Sequence, residues 1–534
     1  MKLVQVTHAS RWVGVNIVLI LMLLAPSTGH AGDPQPDTKA ATTVAPPAPA
    51  LDSKSQQKAP TAFAAAEPKP VSYWGAGDGK SYLIPFSEAI GFAFLLNQYD
   101  RHFLDEQVYG TNFYTFNHNL GNGWAIDNDP FQVNQFLHPY QGNVFHGFAR
   151  SAGLSFWESM GYAFGGSLLW KEAGETGKPS TNDQITTTFA GSFLGEPLFR
   201  IASLLLESGG GNPGYLRELG AAAISPTMGF NRLAFGDRFS SVFRSNEPAV
   251  YTRIELGASL NNHVQSNVNV NTDITGPPIA QAFHRGEANA DFTISYGLPG
   301  KPGYTYSRPF DYFNFEFRAS TGNVFENILS RGLLYGKDYA IGDNYRGVWG
   351  VYGSYDYIAP QIFRVSTTAA SLGTTAQWWL SRSVALQGTA LGGVGYGAAG
   401  TIHGAGVSAA TATAPAGERD YHYGITPQEL LAARLILSDR ASIDMTARNY
   451  YVSRLGGSES TGSENILRAD ISFTVRVYNL HGITLRYVES SRDARYENRT
   501  PTHQSVGTVS LVYSLLGQTR FGAVDWRPAY AGGP

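Results

Sequence analysis

The stretch Arg468, Ala469, Asp470, Ile471, Ser472, Phe473, Thr474, Val475, Arg476, Val477 places its apolar side chains at odd positions and its polar ones at even positions. Successive residues of a strand point to opposite faces, so this segment carries one oily face and one wet face. A strand standing between lipid and a watery interior has that pattern. Ile254, Leu256, Ala258 and Leu260 repeat it against Arg253, Glu255, Gly257 and Ser259. So do the segments from Ala288 to Tyr296 and from Phe313 to Ala319. From Val250 onward the alternation predicts about twelve strands.

The connections support an inserted barrel. Leu380 to Ser383, Ser438 to Ser442 and Asn479 to Gly482 read as tight turns, whereas Arg454 to Glu464 and Ser490 to Gln504 read as long polar loops. Trp378 with Trp379, and Tyr450 with Tyr451, read as aromatic girdles at the two water interfaces. A soluble β-sandwich would explain the alternation but not the girdles or the loop asymmetry. The expected fold is mainly β with an α domain: an antiparallel transmembrane β-barrel preceded by a small helical domain, periplasmic or plugging the barrel.

The inward set mixes Arg253, Arg318, Arg434, Arg448, Arg468, Arg476 and Arg486 with Glu255, Glu287, Asp291, Glu316, Asp444 and Asp470. In so narrow a barrel these charges can pair across the lumen, which argues against a wide nonselective pore.

The formal net charge of −3 and the lack of a Lys/Arg cluster give no reason to expect a nucleic-acid partner. With no cysteine, disulfides, thiolate metal sites and a lipidated N-terminal cysteine are excluded. Lys2 and Arg11, the apolar run Val13 to Ala25 and the small residues up to Ala31 predict a signal peptide over 1–31. Residues 32–72, rich in Ala, Pro, Thr, Lys and Gln, predict a flexible linker. These features place the chain in the outer membrane of a Gram-negative bacterium. Outer-membrane lipids are the expected partners, with the barrel-assembly machinery during insertion.

Between Tyr73 and Pro248 the apolar period is helical, giving a helical domain over 73–245 and a barrel over 246–534. Leu83 to Asn97 contains Pro85 and Glu88 and reads as an amphipathic or buried helix. A helix starting near Gly142 would set His146, Arg150 and, further along, Glu158 on one side. Beside them run Gly147, Ser151, Ser155 and Ser159, small residues at a spacing of four. Ser180 with Asp183 reads as a capping box opening a second helix, whose own small stripe is Thr187, Gly191 and Gly195. Pro197 is expected to kink or restart that helix, with a Glu196–Arg200 ion pair beyond the stripe.

The residues Asp129, Pro130, Phe131, Asn134, Gln135, His138, Pro139, Tyr140 and Gly142 begin a longer ordered motif. It continues through Ala149, Arg150, Gly153, Phe156, Trp157, Gly166, Ser167, Trp170, Glu172, Glu175 and Pro179. It ends with Ser180, Asn182, Asp183, Gly191, Gly195, Glu196 and Arg200. This run resembles the bacterial domain-of-unknown-function family 3943. The resemblance implies an envelope protein and supplies no reaction, cofactor or catalytic residue.

The polar residues admit two readings. As an envelope hydrolase acting on lipid or cell-wall material, the domain would use His138, His146, Arg150, Glu158 and Asp183 for acid–base chemistry. Asp127, Asp129, His138, Glu172 and Glu175 would then be the candidate metal ligands. Yet no His-Glu-x-x-His, Gly-x-Ser-x-Gly or Walker spacing occurs in this domain, and no cofactor is implied. The other reading makes them a structural network, with Arg150 paired to Glu158 and Arg200 to Glu196, inside a domain that plugs or docks onto a barrel serving transport or envelope assembly.

Overall fold

Twelve antiparallel strands close into a barrel in which each is hydrogen-bonded to its sequence neighbours and β1 meets β12. The computed structural model describes residues 80–127, 129–210, 213–236, 243–266, 286–401, 421–453, 462–497 and 501–526. The expected signal peptide and linker lie outside the described residues. The strands are β1 Val250–Ser266, β2 Gly286–Tyr296, β3 Phe313–Ser320, β4 Asn327–Ile341, β5 Tyr345–Ile358 and β6 Phe363–Trp379. They continue as β7 Val384–Thr401, β8 Tyr421–Leu437, β9 Ala441–Val452, β10 Gly462–Tyr478, β11 His481–Tyr496 and β12 Thr502–Leu516.

Register carries the alternation around the wall. Ser472 pairs with Asp444 and Arg486 in an inward row, while Ile471 pairs with Met445 and Tyr487 in an outward row. Inward charges meet across the lumen: Arg486 with Glu255 at 2.5 Å and Asp291 at 3.0 Å, and Arg253 with Asp444 at 3.2 Å. A central void of about 140 Å³ remains, lined in part by Arg253, Glu316, Arg331, Arg448 and Arg486.

After β12 the chain folds back over the mouth that carries the tight turns. The Gln377 amide nitrogen donates to the Val524 carbonyl at 2.6 Å and that of Gln387 to the Gly522 carbonyl at 2.7 Å, so lumen side chains hold the returning segment. Phe521, in the left-handed region at φ 52°, is fully buried there.

Three expectations need correcting. Ser490 to Gln504 is not one long loop, since β11 runs to Tyr496 and β12 resumes at Thr502. Above the apolar band the outward residues become polar, as at Ser491 and Asp493, so the alternation fades while the strand continues. The aromatic pairs split: Trp378 and Tyr451 face outward and are exposed, whereas Trp379 and Tyr450 face inward and are buried. Neighbours on one strand cannot both join a girdle. Arg476 stays at the turn end, paired with Asp439 instead of reaching across the lumen.

The helices are α1 Leu83–Phe103, α2 Glu106–Tyr109, α3 Phe113–Gly121, α4 His138–Ser151, α5 Phe156–Leu169, α6 Thr181–Ile185, α7 Gly191–Glu207, α8 Tyr215–Ile224 and α9 Pro226–Phe235. Single π-helical turns, Val133–Leu137, Trp170–Gly174 and Thr186–Ala190, adjoin α4, α5 and α7. Through the last of them α6 and α7 form one rod from Thr181 to Glu207.

Instead of plugging the lumen, the helices pack on the outside of the wall. On β5, Ser354 and Asp356 face inward to Gln428 and Arg331, so Gly353, Tyr355 and Tyr357 face outward. Those outward positions meet the helices: the Tyr355 hydroxyl donates to the Gln135 carbonyl at 2.6 Å, and Phe136 packs 6.1 Å from the Tyr357 ring. A Cβ on Gly353 would stand 2.6 Å from the Phe193 ring. Phe313, Phe315 and Phe317 on β3 and Tyr423 on β8 are buried under the same layer, while Ile471, Leu485 and Leu511 across the barrel stay exposed.

Pro197 does not restart α7, which runs through it to Glu207. It has no N–H for the Phe193 carbonyl one turn back, and the barrel supplies the missing donor, the Ser330 hydroxyl. The freed carbonyl becomes a point of attachment between rod and wall.

Candidate functional site

α4 and α7 lie close because both are stripped of side chains where they cross. A Cβ on Gly142 would overlap the Thr187 carbonyl oxygen and stand 3.1 Å from the Gly191 Cα. The stripe Thr187, Gly191 and Gly195 therefore faces α4 as its spacing implies. Its counterpart there is Gly142, Asn143 and His146, while the row of Gly147, Ser151, Ser155 and Ser159 does not take part. That row is broken because α4 stops at Ser151, Gly153 turns with φ +87°, and Ser155 caps a new helix.

Glu158 follows from the same break. It closes the capping box of α5 with Ser155 and takes Lys80 at 3.1 Å and the Tyr82 hydroxyl at 2.5 Å, away from His146 and Arg150. The expected Arg150–Glu158 pair is not formed.

Two buried clusters hold the other candidates. In one, the fully buried Glu196 carboxylate receives the Arg150 guanidinium at 2.6 and 3.0 Å, Arg200 at 2.8 Å and the His146 ring nitrogen at 3.3 Å. Arg200 continues to Asp311 at 3.0 Å and the Pro309 carbonyl at 2.6 Å, in the connection between β2 and β3. The Arg150 guanidinium lies 4.5 Å from the Phe199 ring centre, so charge is held by pairing and by aromatic faces.

In the other cluster, the Lys171 ammonium stands 2.6 Å from Asp183 and 3.0 Å from Glu175, with the His138 ring nitrogen 3.2 Å from Asp183. Asp183 is thus not reaching back to complete a capping box; only the Ser180 hydroxyl caps α6. Asn182 donates to Asp183 at 2.9 Å, Asp127 at 3.1 Å and the Tyr423 hydroxyl at 3.0 Å. Asn134 donates to Asp127 at 2.6 Å, and the Tyr421 hydroxyl donates to the Asp129 carbonyl at 2.6 Å. Barrel tyrosines therefore complete the site.

Of the proposed ligands, His138 and Glu175 come together and Asp127 joins them through Asn182. The Glu172 side chain leaves one oxygen without a hydrogen bond. Among the described residues no group of three His, Asp or Glu is arranged to hold a metal ion. Where a cation would sit, the carboxylates converge on an ammonium. His138 and His146 fall into separate clusters.

Lys171, at the centre of the second cluster, was not singled out from sequence. A lone lysine that ends the uncharged run from Ser159 to Trp170 and stands four residues before Glu175 is the available signal. The three π-helical turns carry Asn134, Gln135, Lys171 and Thr186 to Thr188, polar positions of the same region. Such turns occur frequently at functional positions.

No curated protein matches the chain. Among solved structures, the outer-membrane channel DcaP of Acinetobacter baumannii is similar at 8% identity, covering 50% of this chain and 96% of that one, with a TM-score of 0.23. The translocator domain of the autotransporter NalP from Neisseria meningitidis is similar at 15% identity, covering 50% and 89%, with a TM-score of 0.22. A mutant of the monoaromatic hydrocarbon channel TodX is similar at 8%, covering 51% and 91%, with a TM-score of 0.20. The barrel assignment rests on the strand pairing and not on these scores. Residues 123–227, which contain most of both clusters, match the family described as Domain of unknown function (DUF3943), and a closed twelve-stranded β-barrel follows them in the chain.

Proposed function

We propose that this protein serves envelope assembly or maintenance as an outer-membrane anchor for its DUF3943 module, with the barrel acting as a closed scaffold and not as a diffusion pore. The observation that carries this reading is the filled lumen. Arg486 ties together Glu255 and Asp291, Arg434 meets Asp444 at 2.5 Å, and the returning segment around Val524 covers the tight-turn mouth. An open channel keeps a continuous aqueous path, whereas here cross-lumen charges and main chain occupy it.

Single-channel recording in planar bilayers tests this. The intact protein is expected to give no unitary conductance, and replacing Glu255 and Asp291 by Ala together with removal of residues 518–534 is expected to give conducting events. Steady conductance by the intact protein would contradict the scaffold reading. Release of fatty acid from envelope lipids, lost on His138→Ala, would favour the hydrolase instead.

A further inference from the structure

The helical module is built with charge inside and oil outside. Arg150, Lys171, Asp183, Glu196 and Arg200 are all buried. Phe94 and Leu95 on α1, Phe164 on α5 and Leu233 on α9 are exposed, at 61%, 67%, 51% and 88%. A water-facing module would present the reverse, because transferring paired charges inward while leaving large apolar side chains in water is unfavourable on both counts. We propose that the module is itself immersed in the bilayer, with acyl chains covering the outer faces of α1, α5 and α9 and the barrel wall covering α7. The proposal rests on the outer-membrane reading of the barrel.

Three observations fix the occupant as lipid. The apolar faces lie on a module seated on the wall whose uncovered part, at Ile471, Leu485 and Leu511, is the barrel's own lipid-facing surface. The lengths fit: α1 has 21 residues, about 31 Å, close to a hydrocarbon core of about 30 Å. The rod Thr181–Glu207 has 27 residues, about 40 Å, and is tied near one rim by Asn182 to Tyr423 and near the other by Arg200 to Asp311. On α1 charge is also placed as a bilayer requires, and on α9 the half-buried Arg232 is neutralised by Glu218 of α8. Within α1, Asp100 is buried and both Glu88 carboxylate oxygens are shielded inside the bundle. The exposed ion pairs Lys80–Glu158 and Arg101–Glu106 stand at its two ends.

The test uses the full chain in phosphatidylethanolamine–phosphatidylglycerol vesicles containing a phospholipid with a photoreactive diazirine on its acyl chain. Adducts are mapped by mass spectrometry, and hydroxyl-radical oxidation is mapped in parallel. Carbene adducts are expected on Phe94, Leu95 and Phe164 at yields comparable with Ile471 and Leu485, with little oxidation of either set. Adducts on Ile471 and Leu485 alone, with Phe94 and Phe164 oxidised, would overturn the immersion of the helices while leaving the barrel in the membrane. Absence of adducts from both sets would overturn the membrane reading and this inference together.

Discussion

Glu196→Ala is expected to destabilise the protein by about 3–5 kcal/mol, the cost of removing one partner of a buried ion pair and leaving the others uncompensated. Three cationic or hydrogen-bonding groups converge on this one carboxylate: Arg150 at 2.6 Å, Arg200 at 2.8 Å and His146 at 3.3 Å. Arg200 retains Asp311 and the Pro309 carbonyl, so the stranded charge is chiefly Arg150. The measurement is the urea midpoint of the helical signal in detergent micelles, read beside heat-modifiable gel migration of the barrel. Glu196→Ala should lower the midpoint strongly, and adding Arg150→Met should restore part of the loss because the unpaired charge leaves with its partner. An unchanged midpoint for Glu196→Ala would mean that the network holds nothing together.

Gly142→Leu is expected to cost about 3 kcal/mol or to prevent the module from docking, at the upper end of what overpacking costs. The obstacle is main chain, the Thr187 carbonyl and the Gly191 Cα, so no rotamer relieves it. α4 would have to lift from α7, moving His146 away from Glu196. Gly91→Ala and Gly161→Ala are the matched controls. Neither Cβ meets anything within 4 Å, and each is expected to stabilise its helix by up to about 1 kcal/mol. Circular dichroism melts of the three variants in one detergent give the comparison; equal effects at Gly142 and Gly91 would rule out the tight crossing.

The barrel was legible because its signal is local. Ile471 and Ser472 declare their faces by residue type alone, and the same rule applied strand by strand gives about twelve, against the twelve that close the barrel. The seat of the helices was not legible, since an apolar outward row is the same row whether acyl chains or helices cover it. Phe313, Phe315 and Phe317 fit either. The tyrosines were the available clue: Tyr355, Tyr421 and Tyr423 place hydroxyls on an outward face, and buried hydroxyls need partners. Those partners turned out to be the Gln135 and Asp129 carbonyls and the Asn134, Gln135 and Asn182 amides.

In the candidate site the small stripe on α7 and the Glu196–Arg200 pair were readable from spacing. Helical spacing alone carries Arg150 on to Glu158, but the chain leaves the helix at Ala152 and Gly153 and starts a new one at Phe156. The run Ser155-x-x-Glu158 before an apolar stretch is itself an N-terminus signature and marks the break. The pairing of Arg150 with Glu196, 46 residues away, depends on how α4 crosses α7 and has no sequence signal of its own.

Because the chain has no cysteine, thiol cross-linking can test directly which side of the barrel wall carries the helices. Phe193→Cys combined with Gly353→Cys removes the ring that now fills the outward position and sets two thiols facing each other; Phe193→Cys combined with Ser354→Cys puts the second thiol in the lumen. With a short bifunctional thiol reagent on membranes, the Gly353 pair should cross-link and the Ser354 pair should not. Cross-linking of the Ser354 pair with none at Gly353 would put the helices inside the barrel and contradict the outer-wall arrangement.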